Sequence, residues 1–136
     1  VEESKDYKEA AKKYHIDTIF LVSPATSTER FRKIEKATSG FLYIVSIYGV
    51  TGARSSIDNN TLNLVKRFKQ SSSRNINMAV GFGISKPEHV KQVLSAGADG
   101  AIVGSAFVKI INKGLPKDVL LEQLEKLASD LKQPTK

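Results

Sequence analysis

The residues with the clearest chemical use are glycines that follow apolar runs: Gly49 and Gly52, Gly81 and Gly83, and Gly104, which is followed directly by Ser105. Where a chain turns from strand to helix, a glycine lets a ligand approach the backbone N–H groups, and the helix N-terminus adds partial positive charge. That combination suits a phosphate. One such glycine only permits a tight turn, but three junctions of this kind in one chain point to a phosphate ester. Proton-transfer chemistry is poorly supplied by comparison. Asp17 and Asp99 fall at the starts of apolar runs, nearly all other carboxylates fall on helical segments, and Asp58 alone lies in a loop on the glycine side. One carboxylate is not an acid–base pair, and Asp58, just ahead of a helix, reads as a turn or cap residue. His15 precedes a strand and His89 follows Pro87 in a helix, so both read as structural or solvated.

The elements that must position these residues repeat along the chain. A polar, helix-forming run over residues 3–14 precedes the apolar residues 16–22, a helix followed by a buried strand. Ser23-Pro24-Ala25-Thr26 breaks that strand. Ser27 or Thr28 then caps a helix running to about Ala37 with Phe31 and Ile34 inward, and Ser39-Gly40 ends it. Residues 41–45 form the second strand, 46–59 a long loop, and Asn60 caps a helix over 61–70. The third strand covers 76–80, a glycine loop 81–85, and Pro87 begins a helix that reaches Ala96 and stops at Gly97. Residues 99–103 form the fourth strand, and Gly104-Ser105 opens a short helix through Ile111. After Pro116, Leu120, Leu121, Leu124, Leu127 and Leu131 recur at helical spacing, and the tail 133–136 is predicted to fray.

Short, continuously apolar strands alternating with helices predict an α/β protein with a parallel sheet covered by helices. Four βα units fit either an open doubly wound sheet or half of a (β/α)8 TIM barrel. A complete barrel takes about 250 residues, more than the 136 here. The chain also begins with Val, inside a helix that should follow an earlier strand, which fits a segment. In both architectures the ligand lies beyond the C-terminal strand ends, which confines function to residues 23–26, 46–59, 81–85 and 104–105. The loops after the seventh and eighth barrel strands, with a short extra helix, are a known phosphate site. Gly81-Phe82-Gly83, Gly104-Ser105 and the helix to Ile111 fit it, which makes residues 1–136 the C-terminal half of a single barrel domain, about its last four βα units, with no internal linker.

Composition narrows the classes further. With no Cys, disulfide frameworks, thiolate metal sites and thiol nucleophiles are excluded. The net charge of +7 would suit nucleic acid, an acidic membrane surface or phosphorylated substrates. The excess is spread over helices, at Lys5, Lys8, Lys12 and Lys13, at Arg30, Arg32, Lys33 and Lys36, and at Lys66, Arg67 and Lys69. Without interleaved aromatics these read as solvated faces, so neither nucleic acid nor membrane is expected as a partner. No apolar run approaches the roughly 20 residues of a membrane span, and the polar N-terminus is unlike a signal peptide. A soluble, cytoplasmic protein is expected.

Three stretches resemble the alpha subunit of tryptophan synthase: Ser39-Gly40-Phe41-Leu42-Tyr43 continuing to Gly49-Val50-Thr51-Gly52-Ala53-Arg54, then Val80-Gly81-Phe82-Gly83-Ile84-Ser85, then residues 96–106. The similarity runs from about Ile16 to Ile111. The last stretch is shared loosely by many phosphate-binding barrels, whereas Gly-Val-Thr-Gly-Ala-Arg followed by Gly-Phe-Gly-Ile-Ser is specific. The resemblance implies a lyase of tryptophan biosynthesis that cleaves indole-3-glycerol phosphate to indole and glyceraldehyde 3-phosphate. It implies no cofactor in this subunit and a heterotetramer with a beta subunit that holds pyridoxal phosphate. The family's phosphate ligands map onto Gly52, Gly83, Gly104 and Ser105, its indole-pocket aromatics onto Tyr43 and Phe82, and a supporting threonine on its mobile sixth loop onto Thr51.

The chain departs from the family in lacking any counterpart of the catalytic Glu and Asp, which belong to the second strand and the loop after it. The expected partners therefore include the N-terminal half of the same barrel, besides the beta subunit and a small phosphate ester. A smaller departure is Ile47-Tyr48, where many relatives carry polar residues. The alternatives are a phosphate-binding half-barrel without turnover, or another phosphate-binding biosynthetic barrel.

Overall fold

A computed structural model describes residues 1–45 and 57–136 of the chain. The elements run α1 (Lys5–Lys13), β1 (Leu21–Val22), α2 (Thr28–Ala37), β2 (Leu42–Val45), α3 (Asn59–Ser71), β3 (Met78–Gly81), α4 (Pro87–Ser95), β4 (Gly100–Ile102), α5 (Ser105–Ile111) and α6 (Lys117–Lys132). The strands form one parallel sheet in the order β1-β2-β3-β4. Sequential parallel neighbours joined by helices are the βα repeat expected from the sequence. The expectations for Thr51, Gly52 and the rest of 46–56 lie outside the described residues.

Alternation along the strands separates two faces. Val22, Leu42, Ile44, Met78 and Val80 are buried under the helices, against Phe31, Ile34, Leu64, Val65, Phe68, Val90 and Val93. Phe31 and Phe68 stack with ring centroids 4.7 Å apart, which locks α2 to α3. In-register pairing puts Leu21, Tyr43, Ala79 and Gly100 in one row of the opposite face, and Val45, Gly81 and Ile102 in the next. Leu21 is 59% exposed there. In a closed barrel this is the inward face.

Several boundaries differ from the sequence reading. The predicted strand over 16–22 contracts to Leu21–Val22, and Ile16 and Ile19 are 63% and 39% exposed rather than buried. The chain ahead of β1 bonds instead to the turn after α2: Thr18 N–H donates to Ser39 Oγ, and Ser39 N–H donates to Thr18 O. Thr38, not Ser39-Gly40, ends α2, its Oγ1 donating to Ile34 O at 2.9 Å. Asp58, not Asn60, caps α3 by accepting the Asn60 N–H at 3.0 Å. The tail does not fray, because Gln133–Thr135 continues α6 as a 3-10 turn.

The buried Glu35 closes the end of the sheet opposite the glycine loops. Its carboxylate accepts from the Ser72 and Ser73 hydroxyls and from the Ser73 and Arg74 amides. Arg74 also donates to Glu35 O at 3.0 Å, so the α2 and α3 ends are tied in both directions.

Candidate functional site

Parallel pairing brings the C-terminal ends of β2, β3 and β4 side by side, and the loops that leave them share one wall. Tyr43, Phe82, Gly83, Ile84, Ile102, Gly104 and Ser105 surround a hollow of about 240 Å³. Of the site residues expected from the sequence, Tyr43, Phe82, Gly83, Gly104 and Ser105 are thus brought together. Gly52 and Thr51 fall outside the described residues.

Several lining residues have a local reason for their place. Tyr43 points to the barrel-interior face of β2, and its ring lies across Gly81 of β3, where no side chain stands in its way. Phe82 and Gly83 both adopt positive φ, 102° and 74°. Gly83 tolerates this freely, whereas a bulky aromatic at such an angle costs about 1–3 kcal/mol. Phe82 is nonetheless 58% exposed, with its ring at the edge of the hollow rather than in the core. Gly104 is the N-cap of α5, and no side chain caps that helix. A Cβ built on Gly83 or Gly104 meets nothing within 4 Å, so the space in front of both backbones is open.

Among the described residues the hollow has no charged side chain. An anion there would be held by backbone N–H groups, the Ser105 hydroxyl and the α5 dipole rather than by Lys or Arg. The apolar half, Tyr43, Phe82, Ile84 and Ile102, suits a flat hydrophobic group. Ile84 and Ile102 were not singled out from the sequence. Ile102 could have been, since it follows Gly100 at the period of two that marks one strand face; the burial of Ile84 depends on the path of the loop, which no local pattern encodes.

The other titratable residues singled out in the sequence stand apart among the described residues. Asp58 is a helix cap, as its position suggested. Asp99 accepts the Met78 N–H at 2.9 Å and pairs with Lys69 at the base of the sheet. His15 is exposed at a left-handed turn with φ 55°. His89 is fully buried, which settles its reading as structural rather than solvated. Arg67 is more than a solvated charge, for it lies over the Phe68 ring and donates to Thr26 O at 3.0 Å. No helix among the described residues is long and apolar enough to cross a membrane.

A parallel βα sheet with one open face and a glycine-walled hollow at its C-terminal strand ends defines part of an α/β barrel. The chain belongs to the tryptophan synthase alpha chain family, whose sequence model matches residues 1–136. It is 46% identical over 132 residues to the tryptophan synthase alpha chain of Methanothermobacter thermautotrophicus, covering 96% of this chain and 48% of that one. With the Methanosarcina barkeri alpha chain the identity is 48% over 136 residues, 100% of this chain and 49% of the relative. Among solved structures, the tryptophan synthase alpha subunit of Pyrococcus furiosus superposes with a TM-score of 0.80 at 40% identity, over 94% of this chain and 49% of that one. A chain of the α2β2 complex from the same organism gives 0.82 at 42% identity, over 94% and 50%. The chain therefore spans about half the length of the relatives it matches, and its fold is that half of their TIM barrel.

Proposed function

We propose that residues 1–136 are the C-terminal half of one barrel domain that cleaves indole-3-glycerol phosphate to indole and glyceraldehyde 3-phosphate. The observation that carries this reading is the hollow itself, which among the described residues pairs an apolar wall with a glycine-and-serine wall free of charged side chains. In this reading the amides of Gly83, Gly104 and Ser105, with Gly52, receive the phosphate, and Tyr43 and Phe82 flank the indole ring. Thr51 supports the reacting groups from the neighbouring loop.

Cleavage of the bond between indole and glycerol requires one group to protonate the ring carbon and another to take the glycerol hydroxyl proton. No carboxylate lines the hollow among the described residues, so the Glu and Asp that do this come from the complementary half of the barrel. Indole then passes to a beta subunit, the partner that holds pyridoxal phosphate. Membership of the family and the α2β2 assembly of the Pyrococcus furiosus relative support this arrangement.

The test is indole release from indole-3-glycerol phosphate by the full-length protein and by a polypeptide of these 136 residues alone. Turnover by the full-length protein and none by the segment is the expected result. Turnover by the segment would mean that the proton-transfer groups lie within it; binding of a phosphate ester without turnover by either would favour the non-catalytic reading.

A further inference from the structure

His89 lies in the first turn of α4, is 1% exposed, and accepts the Ser85 N–H through Nδ1 at 3.3 Å. An imidazole that accepts at Nδ1 carries its proton on Nε2 in the neutral ring. That Nε2 is buried and has no hydrogen-bond partner among the described residues. A buried donor without an acceptor opposes folding, and a leucine would fill the space without that cost. The compensating gain must come from the other ring nitrogen.

Ser85 closes the loop that carries Gly83 and, at φ 102°, Phe82, a backbone conformation that a bulky residue does not hold without support. Lys86, at the N-cap of α4, makes no side-chain cap bond, so the loop is not fastened to the helix in the usual way. The His89 ring supplies the fastening instead. Gln92, one turn later on the same helix, does the same for the neighbouring segment, its Oε1 accepting the Ile57 N–H at 2.9 Å just ahead of α3.

We infer that His89 is a positioning residue for the candidate phosphate site. It holds residues 81–85 through the Ser85 N–H so that Gly83 keeps its place beside Gly104 and Ser105 in the wall of the hollow. The functional part of this inference rests on the reading of that hollow as a phosphate site. The hydrogen bond itself does not, and the two are separable by experiment.

Glycerol 3-phosphate is titrated into the full-length protein and into its His89→Leu, His89→Asn and Glu88→Gln variants, while KM and kcat are measured and the Ser85 amide resonance is followed by NMR. Asn places an acceptor near the position of Nδ1 without an imidazole, and Glu88 is an exposed neighbour on α4. Loss of one neutral hydrogen bond should weaken glycerol 3-phosphate binding and raise KM roughly fivefold to tenfold in His89→Leu, with kcat changed much less. His89→Asn and Glu88→Gln should stay within about twofold of the parent, since the acceptor is kept in one and untouched in the other. The Ser85 amide proton should lose its hydrogen-bond protection against exchange in the leucine variant and keep it in the asparagine variant. Equal losses in the leucine and asparagine variants, or none in either, would reduce His89 to a packing residue and overturn the inference. If His89→Leu does not fold, the parent's ring decides, because a proton on Nδ1 in its ¹⁵N spectrum is incompatible with the bond. A parent that fails to bind glycerol 3-phosphate would remove the phosphate reading, and the Ser85 and ring ¹⁵N signals would still judge the positioning bond.

Discussion

Tyr43 occupies the space that a side chain at residue 81 would need. A Cβ on Gly81 would overlap the Tyr43 hydroxyl and lie 2.7 Å from Cε1, although the two residues sit on adjacent strands and Gly81 pairs in register with Val45. The tyrosine leans diagonally toward the strand ends, and the glycine makes that lean possible. One pair thereby links the sheet register to the shape of the hollow.

Gly81→Ala should therefore destabilise the protein by about 1–3 kcal/mol, the usual cost of forcing an extra carbon into a packed site. In a Tyr43→Ala background the same substitution should cost far less, a coupling of about 1 kcal/mol or more between residues in contact. Urea denaturation of the four proteins in the cycle, followed by circular dichroism, measures it; additive effects would mean that the ring moves aside freely.

Glu35 should make the protein sensitive to acid. Burial alone pushes its carboxyl upward, but the Ser72 and Ser73 hydroxyls and the Arg74 and Ser73 amides outweigh that and hold it below the usual glutamate range. A carboxyl lowered on folding stabilises the native state above its unfolded value, about 4.3, and that contribution is lost as pH falls through the lower folded value. Glu35→Gln should cost about 2–3 kcal/mol at pH 7, because charge-assisted hydrogen bonds are replaced by a side chain that brings its own donors. Its stability should also fall less steeply than the parent's below about pH 4.3. Thermal melts of both proteins from pH 7 to pH 3 compare the slopes.

The architecture was legible in the sequence because the βα order needs only the alternation of apolar runs with amphipathic ones, and the parallel sheet follows from it. The glycines of the wall were legible too, since Gly83 stands at a left-handed turn, φ 74°, that favours glycine, and Gly104 stands where the chain passes from β4 into α5. Boundaries set by side-chain hydrogen bonds were not. Thr38 overrode Ser39-Gly40, and Asp58 overrode Asn60, because in each pair several residues have the right chemistry and tertiary position selects among them. The cradle around Glu35 and the bond from His89 to Ser85 join residues through the fold rather than along a periodic element, and no sequence spacing announces them.

The barrel-interior face also predicts association. Leu21, 59% exposed, and the half-buried Tyr43, Val45 and Ile102 lie on a sheet whose edge strands β1 and β4 each have one flank with no strand partner among the described residues. Open edges beside apolar rows recruit further chain. A polypeptide of these 136 residues should sediment at micromolar concentration as a dimer or larger species, or as a complex with the complementary half when that is supplied. A compact monomer would show that the face is covered in some other way.

The proposed phosphate site is tested most cleanly at Gly104, because fold and binding separate there. A Cβ at this position meets no atom within 4 Å, so Gly104→Val should leave the fold largely intact, costing about 1 kcal/mol or less for a poorer N-cap residue. The same side chain would stand in the space that the phosphate oxygens need in front of α5. Binding of a phosphate ester by the full-length protein should weaken by roughly 2 kcal/mol or more, the scale of one or two charge-assisted hydrogen bonds. Asp58→Asn is the counterpart, since asparagine caps a helix about as well as aspartate and the residue does not line the hollow. Its effect on the same titration should be much smaller. With folding of both variants checked by circular dichroism, a Gly104→Val protein that binds as tightly as the parent would place the phosphate elsewhere.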